Sequence, residues 1–547
     1  MFNMKKVKRE TNFWSVSSVI MVLLIVLPSI NIFMNLFKGA NENWDHIKEY
    51  LLKTSMMNTI ILVIGTALLT VVIGVTLAWI VTIYDFPLKK FFKWGLILPL
   101  AIPPYIAAYT YSGMLNYTGV IQSTLRNTFN ITVQQKYFDI TSIKGAIFIF
   151  TMFLFPYVFT ITKAFFAKQS SNLIESARVL GSSTWEIFFK VALPISRTAI
   201  AGGVTLVALE VINDYGVVKY FGVTTFSTAI FKTWFSLGDI DSAIRLSSLL
   251  MMFVIVVLSG EKVLRGRKQF SYTSSKIKPL KPIKLKGVKG GAAFTYCFVI
   301  FSLGFIIPTA QLIHWFSLSY EKILTVKFLI LIKNTVIVGI IASVLIIAVA
   351  TIVANFSRIS KSGFARICSR VITLGYSIPG SVISIGVISF FILIDKKMSW
   401  LYEIFNKGGG RLVLTTSLAM LIFAYIIRFL AVGFNTVEAG FEKVGKKYFE
   451  ASRMLGMNVT QTFFKVDFKM IRPAVLSGFL LVFVDILKEL PLTLILRPFN
   501  FETLATKTFE YANDEMIHEA AIASIFIIII GVIAVFLFYR TEKEEVR

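Results

Sequence analysis

Charge is scarce in this chain: Asp, Glu, Lys and Arg make up 16% of its 547 residues, where a soluble domain carries about 25%. Cysteine and histidine are nearly missing, at two and three copies. Two cysteines cannot form a disulfide framework or a thiolate metal cluster, and Cys297 and Cys368, within or beside apolar runs, read as buried free thiols. His46, His314 and His518 are too scattered for a histidine metal site. No GxxxxGK[ST] phosphate loop occurs. Nor does any His, Cys or Ser constellation stand out for covalent chemistry, which excludes the commoner enzyme classes.

What fills the chain instead is hydrophobic: 56% of residues, with a mean hydropathy of +0.74. Such values belong to membrane proteins, and the length suffices for roughly twelve spans of about 20 residues. Much of the 14% aromatic content, chiefly 51 Phe, suits lipid-facing and core packing. Apolar runs fall near 13–37, 57–84, 94–115, 145–165, 198–212 and 242–264. A second set falls near 292–315, 334–356, 372–394, 412–434, 473–490 and 520–539. The net charge of +26 is distributed in alternate short loops, so it follows the positive-inside rule and needs no nucleic acid to explain it. Loops 87–93, 168–197, 357–370 and 435–472 are basic and read as cytoplasmic, while "KGANENWDHIKEY" and "ANDEMIHEA" hold more of the acids. Both termini then lie inside. The basic start, "MKKVKRE", reads as uncleaved, because no small-residue cleavage site follows it.

Repetition organises the chain. "ESARVLG" from Glu175 returns as "EASRMLG" from Glu450, and "FFKV" from Phe188 returns from Phe463, at one and the same offset. "NT" at Asn58 returns at Asn334, and "IPP" at Ile102 as "IPG" at Ile378, with the offset longer by a single position. Two homologous halves of six spans each share one orientation, a parallel repeat about an axis along the membrane normal. The expected architecture is an all-α polytopic membrane protein, with halves 1–264 and 292–547 joined by a basic linker, 265–291. That linker's Lys, Pro, Ser and Gly suit a solvated segment lying along anionic lipid headgroups.

Between the fourth and fifth runs of each half sits a polar helix-turn-helix, in 168–197 and again in 435–472. A short helix that docks needs small residues on its contact side, here Ala177, or Ala451 and Ser452. It also needs a glycine to turn, Gly181 or Gly456, and offers Arg178 or Arg453 as charge toward a partner. An amphipathic helix lying in the interface explains one copy, but two copies in register point to a docking element.

At these residues the chain resembles the permease subunits of ATP-binding cassette importers. Their cytoplasmic loop carries Glu-Ala-Ala, three residues, Gly, and a hydrophobic-Leu-Pro end. The first copy keeps that end as Leu193-Pro194, whereas Phe468-Lys469 replace it in the second. The resemblance implies that Glu175, Ala177, Arg178, Gly181, Glu450, Ala451, Arg453 and Gly456 seat against two ATPase subunits on the cytoplasmic side. Since this chain lacks a phosphate loop, ATP and Mg would bind to those separate subunits, and this chain would hold no cofactor. An extracytoplasmic binding protein would deliver the substrate. The implied location is a bacterial cytoplasmic membrane. "DYGVVKYFGVTTFSTAIFKTWF" from Asp214 and "KELPLTLILRPFNFETLATKTFEYANDE" from Lys488 are similar to the fused double permeases of ferric iron importers. Fused thiamine permeases share much of this layout.

The fifth run of each half carries acids. Glu210 and Asp214 are four apart, which would place them on one helix face, and Asp485 and Glu489 repeat them at the offset of the docking loops. Four carboxylates about a pseudo-twofold axis would suit a hard cation in transit and form a transient metal site. They would equally serve as internal counter-ions, with Lys219, Lys488 and Arg497 nearby in sequence. Arg428 has no counterpart in the first half, and either pairs with an acid or snorkels to the membrane boundary. Pro103, Pro104 and Pro379 interrupt the third runs.

The duplicated carboxylates favour ferric iron as substrate over thiamine, whose cation calls for an aromatic cage. The duplicated docking loop argues against an ion-driven secondary transporter, which has no ATPase to seat.

Overall fold

The computed structural model describes residues 13–35, 41–168, 176–177, 179–265, 282–360, 363–405 and 412–545, and these are overwhelmingly helical. In chain order the elements used below are α1 (Phe13–Asn35), α2 (Asn43–Ile83), β1 (Tyr84–Asp85), α3 (Lys89–Ala101), α4 (Pro104–Phe129), α5 (Ile143–Lys168) and α6 (Thr184–Asn213). There follow α7 (Gly216–Tyr220), α8 (Ile240–Arg265), β2 (Ile283–Lys284), α9 (Val288–Ile323), α10 (Val326–Ile359), α11 (Gly363–Gly375) and α12 (Gly380–Phe405). The last are α13 (Leu418–Val444), α14 (Lys447–Met454), α15 (Val459–Leu487), α16 (Pro491–Leu496), α17 (Leu504–Asn513) and α18 (Ile517–Glu545).

All twelve expected runs contain helix, but they do not make twelve straight spans. Among the described residues nine helices are long and apolar enough to cross a membrane, or ten if one bent pair counts as a span. That pair is α3 and α4, which meet at 88°. Pro103 and Pro104 are the cause: Pro103 is extended at ψ 138°, and Pro104 restarts the helix at its first position, where a missing N–H costs nothing. In the second half Pro379 stands between α11 and α12. The apolar run of α12 is cut short by Asp395, Lys396 and Lys397. Buried Asp395 is satisfied largely by its loop, accepting from the Leu414 and Thr415 amides (3.1 and 2.9 Å), the Thr415 hydroxyl (2.6 Å) and Tyr402 (2.8 Å). The first run, with Pro28 inside it, is also a shorter apolar helix.

The chain packs into two compact units that cut across the sequence halves. One consists of Met1–Trp44, Ile230–Met251 and Leu324–Lys507; the other of Asp45–Ala229, Met252–Ile323 and Thr508–Arg547. Each unit thus has the middle helices of one half as its core, completed by end segments of the other.

In the unit built on the first half, α2, α5 and α6 form the central bundle. Gly203 on α6 lets that backbone approach α5, for a Cβ there would stand 2.8 Å from the Val158 Cα. Small residues at crossings are how helices pack closely where lipid offers no hydrophobic drive. In the other unit α10, α13 and α15 repeat the bundle, with Gly478 of α15 at the position equivalent to Gly203. The outer faces repeat as well: Ile61, Ile64 and Leu68 on α2 and Ile337, Ile340 and Val344 on α10 are all exposed. Such continuous apolar surface belongs against lipid. The far end of the linker is tied down, since β2 pairs in parallel with β1 (Tyr84 with Ile283, Asp85 with Lys284). Residues 266–281 of that linker lie outside the described residues.

Candidate functional site

The second docking element is complete. Helix α14 ends just before Gly456, whose φ of +85° lets the chain reverse, and the Met457 amide donates back to the Ser452 carbonyl at 3.2 Å. Helix α15 then opens on a reciprocal cap. Asn458 accepts from the Gln461 amide (2.8 Å), while the Gln461 side chain accepts from the Asn458 amide (3.0 Å). Such paired caps satisfy amides that a helix start leaves without partners.

The first element repeats this turn at the matching positions of its own half. Gly181 has φ +83°, the Ser182 amide donates to the Ala177 carbonyl at 3.0 Å, and Ser183 and Glu186 form the cap at the start of α6. Each element leads into a π-helical turn, Ile187–Ala192 and Phe463–Asp467. Glu175 and Arg178 lie outside the described residues.

The side chains presented outward differ from the sequence expectation. Of the two small residues on α14, Ser452 faces inward, buried and donating to the Thr462 hydroxyl at 3.1 Å, while Ala451 and its neighbour Glu450 are exposed. Arg453 does not simply reach outward; its Nη1 donates to the Met457 carbonyl of its own turn at 2.6 Å. What stands out is apolar. Val179, Leu180 and Phe189 are exposed (87, 84 and 56%), and their repeats Met454, Leu455 and Phe464 equally so (89, 79 and 62%). The signal was present in "ARVLG" and "SRMLG", where two apolar residues precede the glycine in both copies, but the charged residues around them are the more conspicuous.

The four acids are not arranged as expected. Helix α6 ends at Asn213 and α15 at Leu487; Asp214 is the C-cap of α6, its amide still donating to the Glu210 carbonyl at 3.0 Å, whereas Glu489 follows a tighter turn in which its amide donates to the Ile486 carbonyl at 3.1 Å. Both cap the short helix that follows. Asp214 accepts from the Val217 amide of α7 at 2.9 Å, and Glu489 from the Leu492 amide of α16 at 3.2 Å. A helix start presents free amides and positive dipole, so a carboxylate at a chain break is drawn to it. The sequence repeat therefore preserves a cap at two equivalent helix breaks. Asp485 forms an ion pair with Lys488 at 2.8 Å. Among the described residues no three His, Cys, Asp or Glu side chains gather into a group that could hold a metal ion. The expected four-carboxylate metal site is thus not assembled among the described residues, where Asp214 and Glu489 serve as caps and Asp485 pairs with Lys488.

Arg428 neither meets an acid in the bonds its Nη1 makes nor snorkels to a boundary. It is 4% exposed, and Nη1 donates to the carbonyls of Tyr376 (3.2 Å) and Ile378 (2.6 Å). These carbonyls lie in the break before Pro379, where no helical amide reaches them. The arginine substitutes for the missing ladder. The free cysteines, Cys297 and Cys368, are both buried.

Both halves of the chain resemble known proteins. The family described as "Binding-protein-dependent transport system inner membrane component" matches twice, over residues 74–260 and 346–541. The chain is 26% identical over 540 residues, 97% of its length and 98% of the other's, to the Fe(3+)-transport system permease protein FbpB 2 of Haemophilus influenzae. It is also 26% identical over 209 residues to the sulfate transport system permease protein CysW of Escherichia coli, covering 37% of this chain and 68% of that one. The molybdenum transport system permease protein ModB of Escherichia coli matches over 143 residues at 26%, covering 26% of this chain and 60% of that one. With two matched segments, two repeated helix-turn-helix elements and membrane-length helices around them, this multi-pass chain belongs to the inner membrane components of binding-protein-dependent transport systems.

Proposed function

We propose that the chain supplies both permease halves of an ATP-driven importer of ferric iron. The observation that carries this is the pair of docking elements. Two capped helix-turn-helix units, at matching positions of the two halves, present three exposed apolar side chains at equivalent positions around a left-handed glycine. Two ATPase subunits, binding ATP and Mg, would each seat one element on the cytoplasmic side. Their closure on ATP biases which conformation of the pathway is populated, and the permease itself performs no covalent chemistry. A binding protein delivers the metal from the opposite side, with both termini of this chain cytoplasmic.

Iron as cargo is supported by the likeness to the Haemophilus influenzae protein across nearly the whole of both chains. The acids support a cation in general. Glu210, Asp214, Asp485 and Glu489 lie at or beside helix breaks, and discontinuous helices are where transporters place ion and substrate contacts. In this reading the carboxylates meet the cation in passing and no lasting metal site is needed.

The test is reconstitution in proteoliposomes with the cognate ATPase and binding protein. Uptake of ferric iron from the loaded binding protein, dependent on ATP and absent without the ATPase, is expected. The purified permease alone should hydrolyse no ATP above a detergent blank. Uptake of thiamine in place of iron would refute the cargo while leaving the importer reading intact. Uptake driven by an ion gradient without ATPase would refute both.

A further inference from the structure

The two docking elements repeat in their own geometry, yet they are fastened to their bundles by different chemistry. In the second half the fastening is ionic. Arg358, near the end of α10, holds Asp467 through two hydrogen bonds, Nη1 to Oδ1 at 3.0 Å and Nη2 to Oδ2 at 2.5 Å. Nη2 also donates to Asn355 Oδ1 at 3.1 Å. The pair is 9% and 1% exposed. Two rings flank the guanidinium, Phe441 of α13 at 4.4 Å and Phe449 of α14 at 4.9 Å. Arg358 therefore joins the end of α10 to the end of α13, the docking helix α14 and the π-turn within α15. A planar, two-pronged contact fixes both distance and orientation, which an apolar contact does not. Withdrawn from water, it is also little screened by salt.

The first half lacks the arginine, the asparagine and the aspartate. At the positions equivalent to Arg358, Asn355 and Asp467 stand Thr82, Trp79 and Ala192. There Trp79 packs edge-on to Phe166 (5.6 Å) and Phe188 (5.2 Å), and Phe166 is the repeat of Phe441. An aromatic wedge fills the place of the ion pair. The second element has an additional hold: Trp14 of α1 lies against Phe463 at 4.5 Å and donates to the Thr460 hydroxyl at 3.3 Å.

We infer that Arg358 and Asp467 are positioning residues, forming a rigid joint that carries movement of the second docking element into α10 and α15. The first element, on its aromatic wedge, couples more loosely. This inference rests on the docking role proposed above. It implies that the two elements do unequal work although their sequences match.

The experiment compares wild type with Arg358→Lys, Asp467→Asn and the double variant Arg358→Met/Asp467→Leu, in proteoliposomes with the ATPase and iron-loaded binding protein. Lysine keeps the charge and loses the fork, so it is the change least able to unfold the chain. The double variant replaces the pair by apolar volume, which folded proteins commonly accept. The readouts are co-purification of the ATPase, ATP turnover, and iron taken up per ATP hydrolysed. The ATPase should still co-purify and turn over. Iron per ATP should fall about tenfold in Asp467→Asn and in the double variant, and about threefold in Arg358→Lys, of the order of usual coupling effects. An unchanged ratio in Arg358→Lys and in the double variant would show a merely structural pair and overturn the inference, leaving the docking role standing. A wild-type chain that recruits no ATPase overturns the docking role and this joint together.

Discussion

Replacing Gly181 and Gly456 separates two physical accounts of the docking turns. Both glycines sit in the left-handed region, at φ +83° and +85°, and a Cβ built on either meets nothing within 4 Å. Alanine therefore costs no collision, only the conformational strain of a side chain at positive φ, about 1–2 kcal/mol per site. At about 1.4 kcal/mol per factor of ten, each turn loses roughly five- to thirtyfold in the population that presents its apolar residues correctly. If both elements must be seated, Gly181→Ala/Gly456→Ala combines the two losses. Asparagine is larger than alanine yet visits this region more readily, so it should be the milder change. Proline should be the severest, because its ring holds φ negative and it lacks the N–H that Gly456 donates to the Arg453 carbonyl at 3.1 Å. The assay is ATPase co-purification by titration, with ATP-driven uptake alongside, and Tm as a control that should scarcely move because both turns are exposed. The expected order of binding is Gly, then Asn, then Ala, then Pro. Equal binding by Gly and Ala, or Asn weaker than Ala, would refute the strain argument and point to side-chain size instead.

Arg428→Leu should lower stability by about 2–3 kcal/mol, the worth of hydrogen bonds from a charged donor, because the Tyr376 and Ile378 carbonyls lose their donor; unfolding in detergent measures this, and an unchanged Tm would contradict the bridging role of the arginine. Asp214→Asn and Glu489→Gln test transit against capping. Both replacements keep an oxygen that can accept from the Val217 and Leu492 amides, so a cap alone predicts nearly unchanged stability with normal uptake, whereas transit predicts slowed uptake; alanine at either site should cost about 1 kcal/mol of stability. Asp239, in the loop before α8, is buried, which opposes its ionisation. Hydrogen bonds from the Ser242 amide and side chain and from Asn41 and Asn43 outweigh this and hold its carboxyl below the ordinary value. A depressed carboxyl contributes stability above its unfolded pKa and loses it as pH falls through the folded one. Asp239→Asn should accordingly flatten the acid limb of a stability–pH curve, and an unchanged limb would count against the contact.

The repeat was legible in the chain because a duplicated gene leaves matching words, and "ESARVLG" with "EASRMLG" was enough to locate both helix-turn-helix elements. Spans were legible for a simpler reason: hydrocarbon demands long apolar runs, whatever packs around them. The bend of 88° at Pro103 and Pro104 followed from local chemistry too, as proline removes a donor and fixes φ wherever it stands. Spacing could not tell that Asp214 and Glu489 stand where their helices stop and cap the short helices that follow. Nor could it pair Arg358 with Asp467, which are 109 residues apart and meet only because α10 and α15 pack together. Arg428 finds its partners among backbone carbonyls, and every residue has one, so no side-chain pattern could have named Tyr376 and Ile378. The exchange of end segments between the two compact units is likewise a tertiary fact. Apolar helices carry no mark of which bundle they join; close approaches such as Gly203 against Val158 arise only once the helices have packed.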